Sequence, residues 1–226
     1  MNPPCGDFDG ALFTACGQPL QVHVVTAAVQ PAGDPERSMV QARQYFGALG
    51  ADAIEVSLRR RSDASRPEVV EMLRASRLTY LLGGNPGYLL DTLRDTPAWQ
   101  GIQAGLRQGG GLAGSSAGAM VVCDALLLRS SNPNPRMRHW RGALRLLGEL
   151  VVIPHFTQFG GGWLVSARRE LPGADILGLD ESTGIMYAGG WRALGPGEVR
   201  LFRHGGDKPV IYGGGRTLRL RAPALV

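Results

Sequence analysis

The chain is 226 residues long with 44% hydrophobic composition, enough to bury one sizeable core, so a single compact domain over residues 1–226 is expected. No stretch approaches the ~18 consecutive apolar residues of a membrane-spanning helix. Residues 1–10 carry Pro, Asp and Gly where a secretory leader would place a positive start and an apolar run, so a cytoplasmic protein with no membrane partner is expected. The net charge is +5, yet Lys208 is the only lysine, and arginine gathers at 59–61 and 136–141. Neither cluster is interleaved with several aromatics or joined to a nucleic-acid motif, so an arginine-biased surface is expected, with no nucleic-acid partner.

Cys5, Cys16 and Cys123 have no CxxC spacing and an odd count, which argues against a disulfide framework or a zinc site. No metal and no cofactor are expected. Cys123 lies in an apolar run and reads as a small hydrophobe.

The first half alternates apolar strands with helical patterns. Residues 21–28 read as a buried strand, and 35–49 as a helix with Met39, Ala42, Phe46 and Leu49 at helical spacing. Residues 53–58 form a second strand, 66–76 a helix, and 78–82 a short strand that breaks at Gly83-Gly84-Asn85-Pro86. Residues 88–94 and 99–108 read as helices, and 111–114 as a very short strand. The alternation continues with a helix over 117–128, a strand over 150–154, a helix over 164–171 and a strand over 176–179. After Gly184, strands separated by Gly-rich turns suggest an antiparallel extension of the same sheet. The expected fold class is α/β, a mostly parallel sheet flanked by helices with C-terminal antiparallel strands. In such a sheet the site lies outside the carboxyl ends of the strands.

One strand-to-helix junction carries a chemical signal. Gly114-Ser115-Ser116-Ala117-Gly118 satisfies G-x-S-x-G between the strand at 111–114 and an apolar helix. A serine on so sharp a turn is strained, so the residues two away on either side must be small, and the bend points the hydroxyl outward. The backbone N–H groups that follow sit at a helix N-terminus, where a developing oxyanion is stabilised. Ser115 is the rival nucleophile, framed by Ala113 and Ala117, and either serine could instead be a helix cap.

A serine needs a positioned base. Of the four histidines, His23 falls inside the first strand, His139 in an Arg-rich loop and His204 between late strands. His155 follows Leu150-Val151-Val152-Ile153-Pro154 at the carboxyl end of a strand and is the expected base. An α/β-hydrolase order, Ser116, Asp180 and His204, is the competing arrangement, although no His-Gly-Gly loop precedes the elbow.

The string Gly114-x-Ser116-Ala117-Gly118-Ala119 resembles the nucleophile signature of peptidase family S51, the dipeptidase E and cyanophycinase type, and the similarity extends over most of the chain. The resemblance implies a glutamine amidotransferase-like α/β fold and a serine peptidase. Leu82-Gly83-Gly84-Asn85 resembles the family's Gly-Gly-Asn or Gly-Gly-Asp loop, which implies oxyanion donors at the N–H groups of Gly84 and Ala117 and places Asn85 beside the substrate. From the residues alone, Gly-Gly-Asn-Pro is simply a good turn. Pro154-His155-Phe156 resembles the segment bearing the catalytic histidine, and Leu177 to Thr183 the stretch supplying a glutamate, here Glu181. Asp180 is the alternative acid, since adjacent strand residues point opposite ways. Some dipeptidase E members use an Asp soon after the serine, but Ser130-Ser131-Asn132 offers no carboxylate there.

The resemblance implies hydrolysis of small peptides, with an N-terminal Asp as the expected feature, through a Ser116-His155-Glu181 triad and an acyl-enzyme. A cyanophycinase-like β-Asp-Arg hydrolase is the first alternative. An α/β-hydrolase-type esterase and a non-catalytic ligand-binding homologue are the others. The cyanophycinase branch follows its histidine with a run like His-Phe-x-x-Arg-x-Arg, whereas here His155-Phe156-Thr157-Gln158-Phe159-Gly160-Gly161 carries neither arginine. Arg168 or Arg169 is the candidate reader of an acidic substrate. A small peptide is the expected partner, and a homodimer stays open because relatives are often dimers.

Overall fold

Two compact units divide the chain, one running through Ala119 and the other from Met120 to Ala224. The computed structural model describes residues 5–17, 20–129, 138–206 and 208–224. Ser130-Ser131-Asn132 and the start of the second arginine cluster, Arg136, lie outside the described residues.

In the first unit, β1 (Leu20–Val25), β2 (Ala51–Val56), β3 (Leu78–Leu81) and β4 (Gly111–Gly114) form a four-stranded sheet in the order β2-β1-β3-β4. Every pairing in it is parallel. The connecting helices are α2 (Pro35–Ala48), α3 (Pro67–Arg74), α4 (Pro86–Leu93) and α5 (Pro97–Arg107). Each opens on a proline, whose missing N–H costs nothing in a first turn. Asp34, Asn85 and Thr96 supply N-caps, accepting from the N–H groups of Arg37, Tyr88 and Trp99. Phe46 of α2 is fully buried, its ring 5.9 Å from Phe13 and 5.1 Å from Tyr80.

Two features of this unit differ from expectation. The strand expected over 21–28 stops at Val25, and Ala27–Val29 form a 3-10 turn. There the Ala28 carbonyl leaves the ladder to accept the Asn85 N–H at 2.6 Å. An unanticipated helix, α1 (Gly6–Cys16), has no side-chain cap at Cys5 and is held by burial of Leu12 and Phe13 rather than by a start signal.

The chain continues through α6 (Ala117–Val121), β5 (Ala125–Arg129), β6 (Arg138–Gly142), β7 (Leu150–Ile153), α7 (Phe156–Glu170) and β8 (Asp175–Leu179). β9 (Gly184–Tyr187), β10 (Trp191–Leu194), β11 (Val199–Phe202), β12 (Val210–Tyr212) and β13 (Thr217–Leu218) follow. β7 and β8 pair in parallel with α7 as their crossover, and β11 and β12 extend that pair antiparallel, in the order β12-β11-β8-β7. β9, β10 and β13 form a separate antiparallel sheet, so the tail is not one extension of the first sheet. The β9–β10 hairpin turns through Gly189 at φ 70°, a local closure that satisfies these strands among themselves.

Three further expectations are corrected in this unit. The helix over 117–128 ends at Val121, and its second half is β5, paired antiparallel with β6. An unbroken apolar run reads alike as buried helix or buried strand, and here the Asp124 N–H donates to the Leu150 carbonyl and draws the chain into pairing. His139 consequently lies on β6, exposed, and not in a loop. The helix expected over 164–171 begins at Phe156 instead and runs through Gly160-Gly161-Gly162. Its first turns are held by Phe156, which packs with Trp163 and Leu164 against buried Ile153, Ala167, Ile176 and Phe202. Among the described residues, no helix is long and apolar enough to cross a membrane.

Candidate active site

Ser116 stands at the turn between β4 and α6 with φ 48°, a left-handed conformation costly for a residue with a Cβ. The two framing glycines are sterically required. A Cβ on Gly114 would collide with the Gly118 backbone, and one on Gly118 with the Leu81 carbonyl of β3. Ser115 occupies a different environment. Its N–H donates to the Leu81 carbonyl at 3.1 Å, and its side chain hydrogen-bonds to Tyr80, a buried residue on β3. Cys123 is fully buried and its thiol is pushed up to about 12 by that burial, so it is an inert packing group.

The Gly83-Gly84-Asn85-Pro86 turn lies beside this bend. A Cβ on Gly83 would come within 3.2 Å of Ser116 Cβ. Gly84 has φ 139° and presses against the Ala28 carbonyl, leaving no room for a side chain. Asn85 is exposed, but its Oδ1 accepts the Tyr88 N–H at 3.0 Å and caps α4. Ala117 is the first residue of α6, a position whose N–H has no intrahelical acceptor.

In the second unit, His155 leaves β7 at φ 52° and ψ 43° and serves as the residue before α7, with no capping bond from its side chain. The neighbouring Phe156 holds this corner. Its ring occupies the volume that a Cβ on Gly160 or Gly178 would need, and the Arg200 guanidinium lies 5.4 Å from its centroid. His155 Nδ1 lies 2.6 Å from Glu181 Oε1. A carboxylate oxygen can only accept there, so Nδ1 carries the proton and Nε2 the basic lone pair.

Glu181 follows β8 in a braced turn. Ser182 has φ 55°, Thr183 Oγ1 donates to the Glu181 carbonyl at 3.1 Å, and the Gly197 N–H donates to Thr183 Oγ1 at 2.8 Å. Asp180 is turned elsewhere. Its carboxylate accepts from Arg200 at 2.5 Å and from the Glu198 N–H at 3.1 Å.

His204 meets neither Asp180 nor Glu181 in a hydrogen bond. Its N–H donates to Asp175 at 2.9 Å, and its Nδ1 approaches the Pro172 carbonyl at 3.1 Å. The competing Ser116-Asp180-His204 order therefore lacks its acid–base contact. Arg168 and Arg169 lie at the opposite end of α7 from His155. They close the last turn of α7, 13 residues beyond His155, which is roughly 20 Å at the α-helical rise. Arg168 donates to the Gly206 carbonyl at 2.6 Å and stacks on Phe202, and exposed Arg169 pairs with Glu170.

One neighbour of the pair was not singled out by sequence. Gln158 Nε2 donates to Glu181 Oε1 at 2.9 Å. The available signal was its spacing, three residues past His155 on one helix face.

A sequence model of Peptidase family S51 matches residues 13–191, a span that contains Ser116, His155 and Glu181. A cyanophycinase of Nostoc sp. is 30% identical over 181 residues, covering 76% of this chain and 61% of the relative. An uncharacterized peptidase of Pasteurella multocida is 34% identical over 122 residues, covering 52% of this chain and 56% of the relative. The chain thus spans about three fifths of the length of these curated relatives. A solved peptidase from an acI-B1 Actinobacterium superposes with a TM-score of 0.78 at 28% identity, covering 96% of this chain and 91% of that one. With a family match over most of its length and the serine elbow in place, the chain belongs to peptidase family S51.

Proposed function

We propose that this protein is a serine peptidase acting on small peptides through an acyl-enzyme. Ser116 is the nucleophile, His155 the general base and Glu181 the acid that orients the imidazole. The observation that carries this most directly is Ser116 held at φ 48° between two glycines that tolerate no side chain. Backbone strain of that kind persists only where the surroundings over-determine it, and it concentrates at functional residues.

In the first half-reaction, His155 Nε2 takes the Ser116 hydroxyl proton as the oxygen attacks the peptide carbonyl. The Nδ1–H stays on the ring and donates to Glu181, whose carboxylate stabilises the imidazolium. The N–H groups of Gly84 and Ala117 receive the oxyanion, and His155 returns the proton to the leaving amine. Water then repeats the sequence on the ester and releases the acid. Asp180 is assigned to structure rather than to the triad, because Arg200 and the Glu198 N–H already engage its carboxylate.

An N-terminal aspartyl peptide is the first substrate proposed, and a β-Asp-Arg peptide the second, the latter favoured by relatives named cyanophycinases. Labelling by a fluorophosphonate tests the chemistry. Covalent modification of Ser116, absent in Ser116→Ala, is expected. An unlabelled but folded wild type would identify a non-catalytic ligand-binding homologue. Rates on an Asp-X dipeptide, a β-Asp-Arg dipeptide and a non-acidic dipeptide then rank the substrates, and equal rates on all three would remove the aspartyl preference.

A further inference from the structure

The geometry points to Gln158 as a positioning residue that fixes the Glu181 carboxylate for His155, an inference that rests on the serine-peptidase function proposed above. Two donors converge on a single oxygen, with His155 Nδ1 at 2.6 Å and Gln158 Nε2 at 2.9 Å from Glu181 Oε1. Both donors come from one piece of backbone, since His155 precedes α7 and Gln158 lies in its first turn. Glu181 comes from the separate turn after β8. The helix therefore presents a two-pronged receptor to one incoming carboxylate.

Exposure explains why a second prong matters. The His155 side chain is 36% exposed and that of Glu181 48%. A hydrogen bond so open to water is weakly held, and it must overcome the entropy of keeping the glutamate in one rotamer. The Thr183 and Gly197 contacts brace only the backbone of the acid. Among the described residues, Gln158 is the further side chain hydrogen-bonded to that carboxylate, and its N–H donor is what restrains it. By holding Oε1 at Nδ1, its amide favours the proton on Nδ1 and the lone pair on Nε2.

Three variants test the assignment. Gln158→Met keeps length and removes the donor, Gln158→Glu sets a second carboxylate against the first, and Gln158→Lys restores a donor. Met and Glu are expected to lower kcat on the order of tenfold with KM little changed, and Lys to recover most of the loss. Thermal midpoints of all three should match wild type, since Gln158 is exposed. NMR of the histidine ring nitrogens gives a readout that needs no substrate. Wild type should show His155 as the Nδ1–H tautomer, Gln158→Met a mixture of tautomers, and Gln158→Lys the wild-type pattern. Unchanged kcat and an unchanged tautomer in both Met and Glu variants would overturn the role of Gln158 while leaving the triad intact. Failure of the peptidase function itself has a different signature: Ser116 resists the fluorophosphonate and no peptide is cleaved, yet the ring-nitrogen spectra still report whether Gln158 orders the pair.

Discussion

Ser116, His155 and Ser182 share one backbone property, a positive φ on a residue that carries a Cβ. Left-handed backbone at such residues costs about 1 kcal/mol or more each, so local sequence would not choose it unaided. All three lie at, or next to, the residues assigned to catalysis. Ser116→Ala should lower kcat/KM by roughly four or more orders of magnitude with binding of a product analogue retained, as measured by steady-state kinetics and calorimetry. The adjacent acids should separate cleanly. Glu181→Gln is expected to reduce kcat about a hundredfold or more while leaving the melting curve in place. Asp180→Ala should instead cost about 2 kcal/mol in denaturant unfolding, because it removes the acceptor of the Glu198 N–H and one of the two carboxylates that hold Arg200, leaving only Glu198 on the guanidinium. Comparable stability losses in both variants would contradict this division of labour.

At the scale of elements, α7 connects the strand that delivers His155 to the strand that delivers Glu181. Three consecutive glycines would ordinarily break such a helix, at about 1 kcal/mol each relative to alanine. They are not equivalent. Gly160 leaves room for the Phe156 ring, whereas a Cβ on Gly161 or Gly162 would meet nothing within 4 Å. Gly161→Ala and Gly162→Ala should therefore stabilise the protein by about 0.5–1 kcal/mol each in urea titrations, with Ser116 labelling unaffected. Gly160→Ala should destabilise it and, by displacing Phe156, slow labelling. Equal effects at all three positions would show that the Phe156 contact does not set the helix's course.

Across the molecule as a whole, stability also depends on pH through a buried acid far along the chain from the elbow. Asp9 on α1 is 1% exposed, and burial raises its pKa above the ordinary 3.8, opposed by the hydrogen bond from the Tyr45 hydroxyl at 2.6 Å. A carboxyl whose folded-state pKa is raised binds its proton more tightly in the native state. Its penalty is thus fully present above the raised value and vanishes as the pH falls to 3.8. The unfolding free energy of wild type relative to Asp9→Asn should accordingly shift in favour of wild type between neutral pH and about 4. A flat difference across that range would show that the side chain is more hydrated than its burial indicates.

Much of this was legible in the residues themselves because it is local. The elbow needs small residues two positions either side of the serine, and Gly114 and Gly118 record that demand in a five-residue string. Proline starts and Asp, Asn and Thr caps are local in the same way, and they begin α4 and α5 two residues earlier than the helices expected from 88 and 99. Other decisions required contacts between distant segments. The apolar run after Val121 suits helix and strand equally until β6 offers a ladder. Asp180 and Glu181 are chemically interchangeable until Arg200 claims one and the αL turn at Ser182 sends the other toward His155. Gln158 gained significance only when its helix turn was brought within 2.9 Å of a carboxylate 23 residues away. Steric requirements of a single bend are written in adjacent residues, whereas the choice among equivalent polar groups belongs to the tertiary structure, because it depends on which partner the fold delivers.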